Sequence, residues 1–480
     1  MSESRRARLA NFINGKFVAP ASGTYIDDIN PATEEVIAEI PDSGAEDVDR
    51  AVAAARAAFP SWSRTPADER SKLLLRLADL IERNFDELAR LESCDSGKPI
   101  ALARRLDIPR AIQNFRFFAT AILHQTSDAH MTDTTALNYT LRQPLGVVGL
   151  ISPWNLPLYL LSWKIAPAIA AGNTCIAKPS EMTPMTAHRL AELSVGAGIP
   201  AGVINIVHGI GNKAGRALTC HDGVAAISFT GGTVTGAAVA ANAAPRFKKL
   251  SLELGGKNPT IVFADADLNK AGPEAIRASF WNQGEICLCG SRIFVEKSLY
   301  DHFVEGFVAR TKALPVGDPL DEATFVGALI SEAHLQKVLG YIDLAKKEGG
   351  TIVTGGRRLD RRGFFVEPTV ITGLGTDCRV LQEEIFGPVV TITPFDSEDE
   401  AIAFANSTRY GLSSSVWTRD LERAHRVAAA IDSGTVWINC WLLRDLRVPF
   451  GGMKESGIGR EGGFDSLNFF TEAKNVCVKL

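Results

Sequence analysis

The sequence predicts an α/β fold, with a doubly wound parallel sheet, a second α/β domain after it and a small β segment at the end. Three observations predict it. Short β-branched and apolar runs alternate with longer amphipathic stretches, the pattern of strands joined by helical crossovers. From residue 146 onward these runs follow one another closely. At 480 residues the chain is too long for one core and divides into two or three domains.

The elements follow in order. Thr65 is suited to N-cap a helix, with Pro66 at its first position and Asp68 placed to return a capping bond. Leu73, Leu74, Leu77, Leu80, Ile81, Phe85, Leu88 and Leu91 then recur at helical spacing until Gly97 and Pro99 stop them. This helix is expected to cover a sheet face and to turn its charges outward. Strands are expected at 146–151, 174–178, 203–207, 224–229, 249–254 and 259–263, with helices at 184–198 and 233–244 between them. A second alternation runs from 292 to about 439, with helices near 299–312, 398–406 and 421–431. The tail, 470–480, ends in a strand-like stretch at 475–480, suited to pairing with a partner's sheet edge.

Composition excludes several classes. Hydrophobic residues make up 46% and charged residues 22%, an ordinary globular balance. A net charge of −4 argues against a nucleic-acid partner. No apolar run approaches the roughly 20 residues that span a bilayer. Arg5, Arg6 and Arg8 are not followed by an apolar segment, so no secretory signal is expected. The eight cysteines lack a disulfide spacing, which points to reduced thiols and a cytoplasmic protein. Cys287 and Cys289 have no second Cys/His pair at zinc spacing, so no metal site is expected.

Several motifs carry chemistry. Gly209-x-Gly211-x-x-x-Gly215 follows a strand, but its spacing departs from a dinucleotide fingerprint and it reads as a glycine-rich turn. Ser152-Pro153-Trp154-Asn155-Leu156-Pro157 fixes one amide between two prolines, where its NH2 can donate to a developing oxyanion. Lys178-Pro179-Ser180-Glu181 ends a strand; Glu181 there can accept ribose hydroxyls and repel a 2′-phosphate, favouring NAD over NADP. Phe229-Thr230-Gly231-Gly232-Thr233-Val234-Thr235 is a strand, a glycine turn and a helix start, suited to a pyrophosphate. Glu253-Leu254-Gly255-Gly256-Lys257-Asn258-Pro259 puts a carboxylate at a strand end. Gln283-Gly284-Glu285-Ile286-Cys287 puts a thiol after a glycine. Taken singly, each has a plainer reading: an Asn satisfying a turn, a solvated Lys–Glu pair, an inert core cysteine.

Taken together these clusters resemble the aldehyde dehydrogenase superfamily from Asn11-Phe12-Ile13-Asn14-Gly15-Lys16 to the C-terminus. They include Glu383-Glu384-Ile385-Phe386-Gly387-Pro388 and Pro449-Phe450-Gly451-Gly452-Met453-Lys454-Glu455-Ser456-Gly457. The resemblance implies an NAD-binding domain at 1–120 and 144–250, a catalytic domain at 251–455, and oligomerisation segments at 121–143 and 456–480 of a homodimer or homotetramer. It implies that Cys287 attacks an aldehyde, that the Asn155 amide and the Cys287 N–H hold the oxyanion, and that Glu253 activates water against a thioester. For NAD it implies Lys178 and Glu181 at the adenosine ribose and Glu384, with Phe386, at the nicotinamide ribose. Ile151, Ser152, Pro153, Trp154, Ser180, Gly211, Phe229, Thr230, Gly231, Gly232, Thr235 and Leu254 line the rest of that site. Many members carry Ser where this chain has Gly232, which loses a hydroxyl contact to pyrophosphate.

A narrower likeness is to the muconic semialdehyde dehydrogenases. Leu106-Asp107-Ile108-Pro109-Arg110, Asn114-Phe115-Arg116, Asn439-Cys440-Trp441-Leu442-Leu443-Arg444-Asp445-Leu446 and Lys474-Asn475-Val476-Cys477-Val478-Lys479-Leu480 carry it. It implies a carboxylated semialdehyde whose far carboxylate is gripped by Arg110 and Arg444, since a guanidinium binds a carboxylate through two parallel bonds. Other substrate classes (betaine, succinic or aliphatic aldehydes) and a CoA-acylating relative are the alternatives. The residues leave open whether the substrate carries a 2-hydroxy or a 2-amino group.

Overall fold

Strands buried on both faces read as unbroken apolar runs, and this is how the first sheet is built. The computed structural model describes residues 7–480; Arg5 and Arg6 lie outside them. Five parallel strands form the centre of an eight-stranded sheet, in the order Lys249–Glu253, Ala226–Thr230, Val147–Ile151, Thr174–Lys178 and Ile204–Ile206. Asn11–Ile13 and Lys16–Val18 extend one edge antiparallel, and Gly457–Ile458 closes the other. Register aligns the carboxyl ends: Glu253 pairs with Thr230, Phe229 with Ile151, and Ile151 with Lys178. Glu253, Thr230, Ile151 and Lys178 therefore leave one sheet edge side by side, where doubly wound folds bind ligands.

A second sheet of seven strands runs Thr351–Thr354, Thr369–Thr372, Val389–Phe395, Arg292–Glu296, Pro259–Val262, Ser413–Trp417 and Thr435–Ile438. All its pairings are parallel except the first. Residues 254–258 step from the edge of the first sheet to the middle of the second, so Glu253 stands at the seam. Strand Lys249–Glu253 thus belongs to the first sheet throughout and straddles the expected border after residue 250. A three-stranded ribbon joins Ala129–Thr132, Ala136–Pro144 and Thr471–Lys479.

Two expectations are corrected. The predicted helix from Thr65 to Gly97 is two helices, Ala67–Arg83 and Phe85–Ser96, broken at Asn84. Pro66 is its extended flanking residue rather than its first helical one, and the Thr65 hydroxyl donates to the Ser61 carbonyl instead of capping. Its leucine face does not cover a sheet. Helix Pro157–Ala170, buried nearly all round, takes that place, and Leu74, Leu77 and Ile81 pack with Ile108, Ile112 and Phe115 in the layer outside it. The tail strand begins at Thr471, earlier than 475; it pairs along its whole length with Ala136–Pro144 and stands at the edge of the ribbon.

Candidate active site

The helix Leu268–Phe280 ends in an abrupt reversal that presents Cys287. Asn282 (φ 51°), Gln283 (φ 55°) and Gly284 (φ 72°) all take left-handed conformations, which disfavours the first two and suits the glycine. A Cβ on Gly284 would overlap the carbonyl of Gly387, so the turn is packed as well as strained. Asn258 secures the loop from behind: its amide donates to the carbonyls of Cys287 at 2.7 Å and Cys289 at 2.9 Å, while its oxygen accepts the Ser413 N–H. Among the described residues the Cys287 N–H donates to no protein acceptor and stays free for a ligand.

Asn155 follows the first sheet's edge. Its Nδ2 donates to the Glu285 carbonyl at 2.8 Å, which uses one amide hydrogen and leaves the second. Asn155 and Cys287 line one cavity of about 260 Å³, with Pro153, Trp154, Thr230, Gly231, Gly232, Leu254, Glu384 and Phe386. Glu384 is anchored by the Gly256 N–H at 2.9 Å, and Gly255 leaves the room its carboxylate needs. Phe386 packs edge-on against Trp154, ring centroids 5.4 Å apart. A wider cavity of about 700 Å³ continues along the same strand-to-helix turn, with Ile151, Lys178, Glu181, Gly211, Phe229 and Thr235 in its wall. Lys178 reaches its own Pro179 carbonyl at 2.8 Å and Glu181 at 3.2 Å. Ser152 and Ser180 do not line either cavity. Ser180 accepts the Met182 N–H in a turn, and Ser152 is buried with its hydroxyl unpartnered.

A third, largely apolar cavity lies on the other side of Cys287. Glu253, Thr230, Arg444, Glu461, Leu106, Tyr159 and Trp163 are among its walls. Glu253 is 4% exposed, and its Oε1 has no hydrogen-bond partner. Burial holds this carboxyl well above the usual range, and the Glu461 carboxylate pushes the same way; Lys164, Arg444 and Arg460 oppose them. Burial also pushes the Cys287 thiol up, as do the Glu384 and Glu253 carboxylates, while Arg444 pulls it down. The Cys287 side chain therefore rests as a thiol, and it would need a base beside it to act as a nucleophile.

The two arginines differ. Arg444 enters the cavity with its guanidinium 3.8 Å from the Phe450 ring centroid and has no carboxylate within salt-bridge range among the described residues. Arg110 stays outside the wall and sits 5.6 Å from the ring centroid of Tyr159, which does line it. Sequence reasoning missed Asn258 although it quoted the motif containing it, and missed His334, which lines the coenzyme cavity beside Trp154. Burial holds His334 down to about 4, so its ring is neutral.

Cys287 faces both the narrow cavity with Asn155 and the apolar one with Glu253. The coenzyme groove offers what NAD requires: a carboxylate for ribose hydroxyls and an open glycine turn, Gly232, where an added Cβ meets nothing within 4 Å. The aldehyde dehydrogenase family profile matches residues 17–476. The 2-aminomuconic semialdehyde dehydrogenase of Danio rerio is 56% identical, with 98% of each chain covered. The 2-hydroxymuconic semialdehyde dehydrogenase of a Pseudomonas species is 48% identical, covering 98% of this chain and 99% of its own. An NAD+ complex of an aldehyde dehydrogenase from Bacillus cereus superposes with a TM-score of 0.97 at 42% identity, covering 98% of this chain and 97% of its own. A free thiol between an amide and a base, beside a dinucleotide groove and inside a match of this length, leaves one conclusion: the chain belongs to the aldehyde dehydrogenase family, as an enzyme that oxidises aldehydes with NAD.

Proposed function

We propose that the chain oxidises a carboxylated semialdehyde, 2-hydroxymuconate or 2-aminomuconate 6-semialdehyde, to the dicarboxylic acid, with Cys287 as nucleophile, Asn155 as oxyanion donor and Glu253 as base. The observation that carries the substrate reading is Arg444, an unpaired guanidinium in the same apolar cavity as Cys287 and Glu253. An unpaired cation beside aromatic walls favours an anionic ligand, and a planar fork favours a carboxylate. The names of the 56% and 48% identical relatives support the same class. Arg110, one ring away at Tyr159, is the second carboxylate-binding group in this reading.

The chemistry follows from the side chains. Glu253 takes the Cys287 proton and passes it on to solvent, and the sulfur adds to the aldehyde carbon. The carbonyl oxygen becomes an oxyanion held by the free Asn155 hydrogen and the Cys287 N–H. When bound, NAD supplies the two-electron acceptor. Lys178 and Glu181 hold its adenosine ribose, the turn at Gly231 and Gly232 its pyrophosphate, and Glu384 its nicotinamide ribose. Cys287 then carries the acyl group as a thioester. Glu253 takes a proton from water, the oxygen attacks, and the carboxylate leaves as the thiolate is released.

In the same reading the first sheet and its helices form the coenzyme domain, the second the catalytic domain, and the ribbon the surface of a homodimer or homotetramer. Among the described residues no helix is long and apolar enough to cross a membrane. All eight cysteines are free, which supports a reducing compartment such as the cytoplasm in this reading. The test is kcat/KM for the two muconic semialdehydes against betaine aldehyde, succinic semialdehyde and a plain aliphatic aldehyde, with NAD. The muconic pair is expected to lead; an aliphatic or betaine aldehyde at the top of the panel rejects the substrate class.

A further inference from the structure

Behind the Asn155 loop lies a charged cluster whose members line none of the three cavities. Lys98, Asp107 and Glu92 all have side chains 0% exposed. Charges buried this completely require partners, and the partners are informative. The Lys98 ammonium donates to Asp107 Oδ1 at 2.9 Å and to the backbone carbonyl of Asn155 at 2.9 Å. Glu92 Oε1, 4.0 Å from Lys98, accepts the Leu158 N–H at 3.1 Å. One buried cluster thus grips the loop at Asn155 and three residues later. Lys98 is itself fixed: it follows Gly97 in a left-handed helix cap, and its carbonyl accepts the Ser93 hydroxyl at 2.6 Å. Asp107 ends a π-helical stretch, Ala103–Asp107, which continues directly into the helix bearing Arg110. A π-bulge shifts the register of the side chains that follow, and such bulges recur at functional sites.

We propose that Lys98 and Asp107 are positioning residues for the oxyanion site: their buried ion pair aims the Asn155 amide and ties it to the segment that carries Arg110. The inference rests on the reading of Asn155 as the oxyanion donor. A carboxylate drawn toward Arg110 loads the helix that begins at Asp107, and the pair transmits that restraint to the peptide presenting the amide. Without Lys98, the Asn155 carbonyl keeps only the Asn282 amide at 3.1 Å, and Asp107 loses its cation. Since a misplacement of about 1 Å costs roughly a hundredfold in rate, a loosened loop slows every step that passes through an oxyanion.

The test compares two reactions of the same sulfur. Oxidation of 2-hydroxymuconate 6-semialdehyde needs the oxyanion; alkylation by iodoacetamide, a substitution at saturated carbon, does not. Lys98→Met should lower the burst rate of reduced coenzyme about tenfold to a hundredfold, with alkylation of Cys287 and the Kd for NAD within about twofold of the parent. Asp107→Asn keeps the shape, and should lower the burst less, again without touching alkylation. In an Asn155→Ala background, Lys98→Met should cause no further loss, because the group it aims is gone. An unchanged burst in both Lys98→Met and Asp107→Asn, equal losses in burst and alkylation, or additive losses in the double variant overturns the proposal. If Asn155→Ala alone leaves the burst intact, the fault lies in the oxyanion reading itself.

Discussion

Replacing Arg444 separates substrate recognition from the chemistry it surrounds. The guanidinium is half-buried against Phe450 and Trp163 and lines the cavity that holds Cys287 and Glu253. A hydrogen bond to a charged group contributes about 1.5–3 kcal/mol. At 1.36 kcal/mol per factor of ten, Arg444→Ala should lower kcat/KM for a muconic semialdehyde about 10- to 150-fold. An uncharged aldehyde of the same length should lose no more than about threefold. Arg444 also pulls both Cys287 and Glu253 down, so its loss moves both groups up and shifts both pH profiles alkaline. Comparing the substrates on the high-pH plateau removes that contribution. Arg444→Lys keeps the charge without the fork and should fall between the two, about fivefold below the parent. The assay is initial rate of coenzyme reduction at substrate concentrations below KM. Equal losses for charged and uncharged aldehydes refute a carboxylate grip and leave Arg444 a purely electrostatic neighbour of the nucleophile.

Glu253→Gln should slow the burst of reduced coenzyme and then stall at the thioester, seen as a slower but still stoichiometric pre-steady-state phase; continued turnover at the parent rate rejects its role in deacylation. Because burial and Glu461 raise the Glu253 carboxyl, steady-state turnover should climb with pH through a value well above that of an ordinary glutamate. The same shift acts on stability. Between the unfolded and folded values the native chain holds a proton the unfolded chain has lost, so stability falls as pH rises through that window, and Glu253→Gln should flatten the decline in a melting series. Gly232→Ser meets open space at a helix N-terminus and should tighten NAD about threefold to tenfold in a calorimetric titration, the equivalent of one added hydrogen bond of about 1 kcal/mol; weaker binding contradicts the pyrophosphate assignment. Gly284→Ala puts a Cβ on the Gly387 carbonyl at a left-handed position and should lower the Tm and slow alkylation of Cys287 together; a parent-like melt contradicts the packed-turn account.

What was legible in the chain follows the range of the interactions. Cys287, Glu253 and Asn155 stood out because each sits in a local signature of glycines or prolines that only a shaped backbone requires. The five central strands were legible because burial on both faces leaves no polar alternation to confuse them. The break at Asn84 was not, since leucines run through it at unbroken helical spacing, while the Asn84 amide donates to the Leu80 carbonyl at 2.7 Å and its oxygen accepts from Arg189, 105 residues on. Charges were the least legible part. Lys98 reaches Asn155 across 57 residues, and Lys164 reaches Glu461 across 297, at 3.0 Å. A buried lysine and a solvated one look alike in a sequence that has 51 Lys and Arg. The fold resolves them by desolvation: Lys98 and Lys164, driven into the interior, each find an anion, and the carbonyl that Lys98 also finds identifies the segment being held. For Lys98 that segment is the loop that carries Asn155. For Arg444 the position facing it is a cavity, which is why one cation reads as a support and the other as a recognition group.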